Sequence, residues 1–197
     1  MKPDQNLNHP KKGSSIRVEP IKSLKDIKAI KRLLKDNARD LCLFTVGVNT
    51  NLRASDLLRI TSGQVRNLKP GDELLIKEKK TGKHRRINLN KAVITAIKDL
   101  LSSIPYRDED PLFLGQRGLL TVPSINRLVK QWCRTINLKG NYGAHTLRKT
   151  FGYHQRVTFG VGIPELMTVF NHSSQRETLQ YLCVQPEEVK SLYENEL

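Results

Sequence analysis

Four short segments of this 197-residue chain carry residue types able to hold and attack a phosphodiester. Arg53 stands in Asn51-Leu52-Arg53-Ala54-Ser55-Asp56-Leu57, between an apolar helix and a short helix that Ser55 is expected to cap. Held in such a turn, its planar guanidinium suits two phosphate oxygens at once. The segment 77–86 sets six basic residues, Lys77, Lys79, Lys80, Lys83, Arg85 and Arg86, against one acid, Glu78. A basic β-ribbon fits a DNA groove and can offer a lysine to a leaving oxygen. In His145-Thr146-Leu147-Arg148 the i, i+3 spacing brings His145 and Arg148 to one side of a helix start, where free N–H groups attract anions. Gly143, just ahead, allows close backbone approach. Asn171-His172-Ser173-Ser174 makes a turn into a helix that carries Tyr181 about two turns along. Taken singly, each segment also has a plain reading: a surface arginine, a solvated charged turn, a capped helix with a structural histidine, a packed tyrosine.

Charge favours a polyanionic partner. Lys and Arg number 34 against 19 Asp and Glu, a net charge of +15. The excess is uneven, with net +12 over residues 1–90 and +3 over 91–197. Self-repulsion of this size in a small domain points first to nucleic acid. An enzyme acting on phosphodiesters needs fixed cations, hydrogen-bond donors, a nucleophile and a leaving-group acid. No stretch approaches the ~18 apolar residues of a membrane span, and the N-terminus has no apolar run of a secretory signal. Cys42, Cys133 and Cys183 have no paired spacing and read as isolated thiols of a reducing cytosol.

The elements that must position these groups follow from periodicity. Residues 1–22 mix Pro, Lys, Ser and Asn without a period and read as a flexible basic arm. Ser23 with Asp26 marks a helix start, and Leu24, Ile27, Ile30, Leu33 and Leu34 recur at helical spacing. A second, core helix runs from about Asn37 until Asn49-Thr50-Asn51 breaks it. ELLIKEK and HRRINL form two strands joined across Lys80-Thr81-Gly82-Lys83. Asn90 caps a further helix, helical spacing returns at 123–137, and short helices follow Thr146, Pro164, Ser174 and Pro186. The expected fold is α+β, mostly α-helical, with a small antiparallel sheet of about three strands on one side.

In this order and at these separations, the Arg turn, the lysine hairpin, His-x-Leu-Arg and His-Ser-Ser…Tyr closely resemble the catalytic domain of the tyrosine recombinase (phage integrase) family. The resemblance covers about residues 22–185. The hairpin Lys80 to Arg85 matches the family's Lys-Thr-Gly-Lys-x-Arg, and His145 to Arg148 matches its His-x-Leu-Arg box intact. Asn51 and Asn171 stand where the family usually has Gly; Asn is the residue next most able to take a left-handed backbone. Asp56 replaces a Glu one methylene longer.

The resemblance implies a site-specific recombinase or integrase that cleaves and rejoins duplex DNA through a 3′-phosphotyrosyl bond, in integration, excision or inversion. Tyr181 would be the nucleophile, Arg53 and Arg148 the phosphate clamp, and His172 a further donor. His145 would take the tyrosine proton and Lys80 protonate the departing 5′-oxygen. Lys77, Lys79, Lys83, Arg85 and Arg86 would face DNA. No cofactor and no metal is expected. A type IB topoisomerase uses a closely similar pocket, and a DNA-binding module with unused catalytic residues is the third reading.

The resemblance also implies double-stranded DNA as partner, a protein tetramer on paired DNA sites, and accessory DNA-bending proteins as a further partner class. A bacterial, cytoplasmic and nucleoid-associated location follows, with no membrane. The domain division is an arm at 1–22, the catalytic domain at 23–185 and a tail at 186–197, whose Val189, Leu192, Tyr193 and Leu197 suit docking on a neighbouring subunit. Most members carry a core-binding domain ahead of the catalytic one. This chain reads as a minimal recombinase or a separately made catalytic fragment.

Overall fold

The computed structural model describes residues 18–115 and 118–182. Polar caps set the helix starts. Ser23 Oγ accepts the N–H of Lys25 and Asp26 and opens α1 (Leu24–Leu33). Asn37 accepts the N–H of Asp40 and opens α2 (Ala38–Asn49). Satisfying such orphan donors stabilises a helix by about 1 kcal/mol. Cys42, Leu43, Phe44 and Val46 make α2 apolar around much of its circumference, so it runs through the centre of the fold. Two short helices follow, α3 (Ala54–Leu57) and α4 (Ser62–Val65). The start of α3 differs from expectation: Arg53 is the N-cap residue, with extended backbone, and Ser55 lies inside the helix.

Strands β1 (Glu73–Lys77) and β2 (His84–Asn88) pair antiparallel, with Ile76 opposite Arg85 and Lys77 opposite His84. Asn90 then caps α5 (Lys91–Ser103), which buries Val93, Ile94, Ile97 and Leu100 against α2. A two-residue pair, β3 (Leu114–Gly115) with β4 (Gly118–Leu119), is a separate ladder. The described residues thus hold two two-stranded sheets where the sequence suggests one of about three strands. The run after Phe113 is too short and too rich in glycine to extend the β1–β2 hairpin.

The remaining helices are α6 (Val122–Thr135), α7 (Ala144–Val157), α8 (Ile163–Phe170) and α9 (Gln175–Leu182). Helix α7 packs on α2, α6, α8 and α9, and two glycines permit these approaches. A Cβ at Gly47 would lie 2.6 Å from Leu147 Cδ1, and one at Gly152 would lie 2.5 Å from the Phe170 ring and 2.6 Å from Leu182. Most buried apolar residues join one core, in which Phe44 meets Trp132 edge to face at 5.9 Å. A second, small cluster of Leu166, Phe170 and Leu182 lies between α7, α8 and α9. Cys42 and Cys133 are buried thiols, and burial pushes Cys133 up to about 12; Cys183 lies outside the described residues.

The last five residues of the expected arm do not behave as an arm. Ile21 is buried, its N–H bonds Thr150 Oγ1 at 2.9 Å, and its carbonyl lies 2.9 Å from His154 Nε2. Glu19 pairs with Asn141 through its main chain and its carboxylate. Burial of Pro20 and Ile21 supplies the driving force that the polar arm lacks. Residues 1–17 and the tail 186–197 lie outside the described residues.

Candidate active site

Helix α7 carries the centre of the site. It begins at Ala144, so Thr146 sits in the first turn rather than ahead of it, and its hydroxyl accepts the Gly143 N–H at 3.0 Å. Asn126 Oδ1 accepts the Ala144 N–H at 3.2 Å, an approach open only because residue 143 has no side chain. His145 is exposed at the helix start, whereas Arg148, one turn on, is only 3% exposed. Arg148 Nη2 donates to the Phe170 carbonyl at 3.0 Å, and its guanidinium lies 5.1 Å from the Phe170 ring and 5.8 Å from that of Tyr181. Its Nη1 is buried and makes no hydrogen bond. Desolvation, reinforced by Arg53 and Arg85, pushes Arg148 down to about 10, against the opposing pull of Tyr181 and Glu78. A buried cation with an unused donor is costly until an anion meets it.

Arg53 is positioned by two acids. Its Nη1 lies 2.8 Å from Glu78 Oε2 and 3.9 Å from Asp56 Oδ2, and its side chain keeps 18% of its exposure. Asp56 Oδ1 also accepts the Lys79 N–H at 2.9 Å, so the shorter acid still reaches the hairpin. Leu74, Ile76 and Glu78 face inward along β1 and its extension, and Arg85 faces them from β2. Arg85 therefore does not lie on the open ribbon. It donates to Glu78 Oε1 and to the Val169 carbonyl, both at 2.9 Å. Lys77, Lys79, Lys80, Lys83 and Arg86 are exposed.

The end of α8 joins these parts. Asn171 closes the helix in the left-handed region at φ 55°, and Asn51 takes φ 54°, so both asparagines hold the backbone expected of glycine. The Val169 carbonyl accepts from Asn51 Nδ2 at 2.7 Å as well as from Arg85. Carbonyls that would end the helix unpaired thus receive donors from α7, the hairpin and the Arg53 turn. His172 then stacks on Phe170 at 5.2 Å, and its Nδ1 lies 3.0 Å from Thr178 Oγ1. Tyr181 rests on Phe170 at 5.0 Å, with the His172 ring at 5.3 Å and Lys149 Nζ at 5.2 Å.

Arg148, His172 and Tyr181 therefore form one group around the Phe170 ring, with Arg53 near enough for its charge to act on Arg148 and His172. His145 and Lys80 border it: partial desolvation, then the fields of Arg148, Lys149, Arg53 and Lys80, hold His145 below the usual histidine range. His172 is also lowered, chiefly by burial and further by Arg148 and Arg53, while Glu177 opposes. A neutral imidazole at neutral pH can accept a proton. Sequence reasoning missed Glu78, Lys149 and Thr178. For Glu78 the signal was present, because strand alternation from Leu74 and Ile76 turns it inward.

The fold is one seen before. The XerA recombinase crystal structure matches with a TM-score of 0.73 and 18% identity, over 91% of this chain and 65% of that one. A XerH site-specific recombinase bound to palindromic difH substrate in a post-cleavage complex matches with a TM-score of 0.73 and 23% identity, over 93% and 55%. The phage integrase family model matches residues 16–188. The chain belongs to the phage integrase family. It is 34% identical over 181 residues to the probable integrase/recombinase YoeC of Bacillus subtilis (strain 168), covering 89% of this chain and 95% of that protein. It is 32% identical over 157 residues to the tyrosine recombinase XerC of Caldanaerobacter subterraneus subsp. tengcongensis, covering 77% of this chain but 43% of that protein. Among the described residues no helix is long and apolar enough to cross a membrane.

Proposed function

We propose that this chain is a site-specific recombinase that breaks and rejoins duplex DNA through a phosphotyrosyl ester on Tyr181. One observation carries the reading. Arg148 is buried with an unbonded Nη1, beside the Tyr181 ring and within the field of Arg53, so the pocket is built for an anion next to a phenol. Membership of the phage integrase family supports the same chemistry.

Tyr181 Oη attacks the scissile phosphorus, and its proton passes to His145. Neutral His145 is available for this because desolvation and nearby cations oppose its protonation. Arg53, Arg148 and His172 hold the non-bridging oxygens as negative charge develops. The bond from phosphorus to the 5′-oxygen breaks, and that oxygen takes a proton from Lys80. The products are a 3′-phosphotyrosyl ester and a free 5′-hydroxyl. Attack by a 5′-hydroxyl on the ester reverses each transfer and rejoins a strand, so the sequence balances without nucleotide or redox co-reactant. Lys77, Lys79, Lys83 and Arg86 contact the DNA backbone, while Arg85 serves by holding the hairpin to α8. Exchange takes place on a tetramer at paired DNA sites.

The test is a nicked duplex from which the cleaved strand end diffuses away, trapping the covalent protein–DNA adduct. Wild-type protein on DNA flanking its own gene should form it. Adduct formation with Tyr181 replaced, or no adduct with any such DNA, would overturn the reading. Affinity should fall steeply with added salt as phosphate counterions are released.

A further inference from the structure

Glu78 is the one acid in the strongly basic segment 77–86, and it is the residue of that segment most completely removed from water, at 1% exposure. Its carboxylate meets three partners from three places, Arg53 as an ion pair and Arg85 and Thr81 as hydrogen-bond donors. Arg53 Nη1 lies at 2.8 Å, Arg85 Nη1 at 2.9 Å and Thr81 Oγ1 at 2.7 Å. Its main chain closes the turn as well: Glu78 N–H donates to the Lys83 carbonyl and Gly82 N–H donates to that of Glu78, both at 2.9 Å. The neighbouring Lys79 N–H is held by Asp56 on α3. Lys80 itself is exposed, so its place is set by the turn beneath it rather than by packing of its own side chain.

The base of the hairpin does not need this arrangement. Leu74, Ile76 and Ile87 already bury it against the core. The acid acts one step further out, where the strand gives way to the turn. Burial opposes its charge, but the hydrogen bonds from Thr81, Arg85 and Arg53 outweigh that and draw it down to about 2, so it remains ionised at every working pH. Glutamine would keep the shape but set an amide N–H₂ against guanidinium donors, and aspartate is one methylene too short to span both arginines.

We propose that Glu78 is a positioning residue, which locks the Lys80 turn onto Arg53 so that leaving-group acid and phosphate clamp form one rigid unit. The proposal rests on the recombinase reading above and deepens it. It assigns Glu78 to the protonation of the leaving oxygen through Lys80, not to contact with DNA.

A substrate with sulfur in place of the scissile 5′-bridging oxygen separates this from a general structural role, because a thiolate leaves without a proton. Glu78→Gln should form adduct about 100-fold more slowly than wild type on ordinary DNA, the size expected for loss of general-acid help. On the sulfur-bridged duplex its deficit should shrink to within about tenfold, as should that of Lys80→Ala. Affinity for intact duplex should change less than about threefold. Thr81→Ala removes one bond from an exposed position, and should show a smaller deficit with the same sulfur rescue even if Glu78→Gln fails to fold. An equal deficit on both substrates for Thr81→Ala and a folded Glu78→Gln, or no deficit on ordinary DNA, overturns the proposal while leaving the recombinase reading intact. Absence of adduct from wild type overturns that reading, and this one with it.

Discussion

The two halves of the site are mounted differently. Arg53, His145 and Arg148 stand on elements rooted in the large core that α2, α5, α6 and α7 share. His172 and Tyr181 stand on and beside two eight-residue helices, α8 and α9, whose own core is Leu166, Phe170 and Leu182. A cluster that small supports little local stability, so α8–α9 belongs to the part of the fold that opens most easily. The proposed clamp is rooted in the large core, and the proposed nucleophile is carried on a lighter mount. What joins them is polar: Arg148 on Phe170, with Arg85 and Asn51 on Val169. Arg148 is thus both a member of the proposed phosphate clamp and a fastening of the module that carries Tyr181.

Chemistry at Tyr181 gives the sharpest contrast. Tyr181→Phe should reduce adduct formation by more than about 10⁴-fold, measured on the nicked duplex, while thermal unfolding of the main core stays unchanged. A matched pair of glycine substitutions should then separate the mounts. Gly47→Ala drives a methyl into Leu147 and should cost about 1–3 kcal/mol of global stability. Gly152→Ala drives one into Phe170 and Leu182 instead. It should raise amide exchange in α9 and slow cleavage about tenfold or more, with less loss of global stability than Gly47→Ala. Equal exchange throughout the molecule in both variants would erase the distinction.

Within the module, Thr178→Val keeps the shape but removes the hydroxyl beside His172 Nδ1. Loss of about 1 kcal/mol of orientation should slow cleavage roughly fivefold, with affinity unchanged. The smallest effect is one of pH. His145 is held below the usual histidine range by desolvation and neighbouring cations, so its base form persists to lower pH than that of an unperturbed imidazole. The acid limb of cleavage should therefore lie at lower pH than an unperturbed histidine would give, and His145→Gln should lose that limb.

Much of this arrangement is legible in the sequence, and the gaps have physical causes. Ser23, Asn37 and Asn90 cap the helices they announce, because capping depends on side chains within three residues. The asparagines at 51 and 171 also report their backbone locally, by replacing the one residue type freer than themselves. Arg85 is different. Its type suggests DNA, yet its register opposite Ile76 turns it inward, and only the alternation of the whole hairpin shows this. Ser55 looks like a cap, but the cap lies two residues sooner, at Arg53. The small α8–α9 core is not legible, since it depends on Gly152 of one helix meeting Phe170 and Leu182 of two others. Lys149 enters the site through the long-range approach of α7 to Tyr181, whereas Thr178 meets His172 only six residues away, across the turn into α9.

The strap at residues 18–22 gives α7 a mechanical position. Its main chain is tied to Asn141, just ahead of α7, to Thr150 at the middle of the helix and to His154 in its second half. Tension on the chain ahead of Val18 is therefore shared along the helix that carries His145, Arg148 and Lys149, rather than absorbed by a slack tether. Any load applied there reaches the proposed phosphate-binding face through four hydrogen bonds and one buried isoleucine.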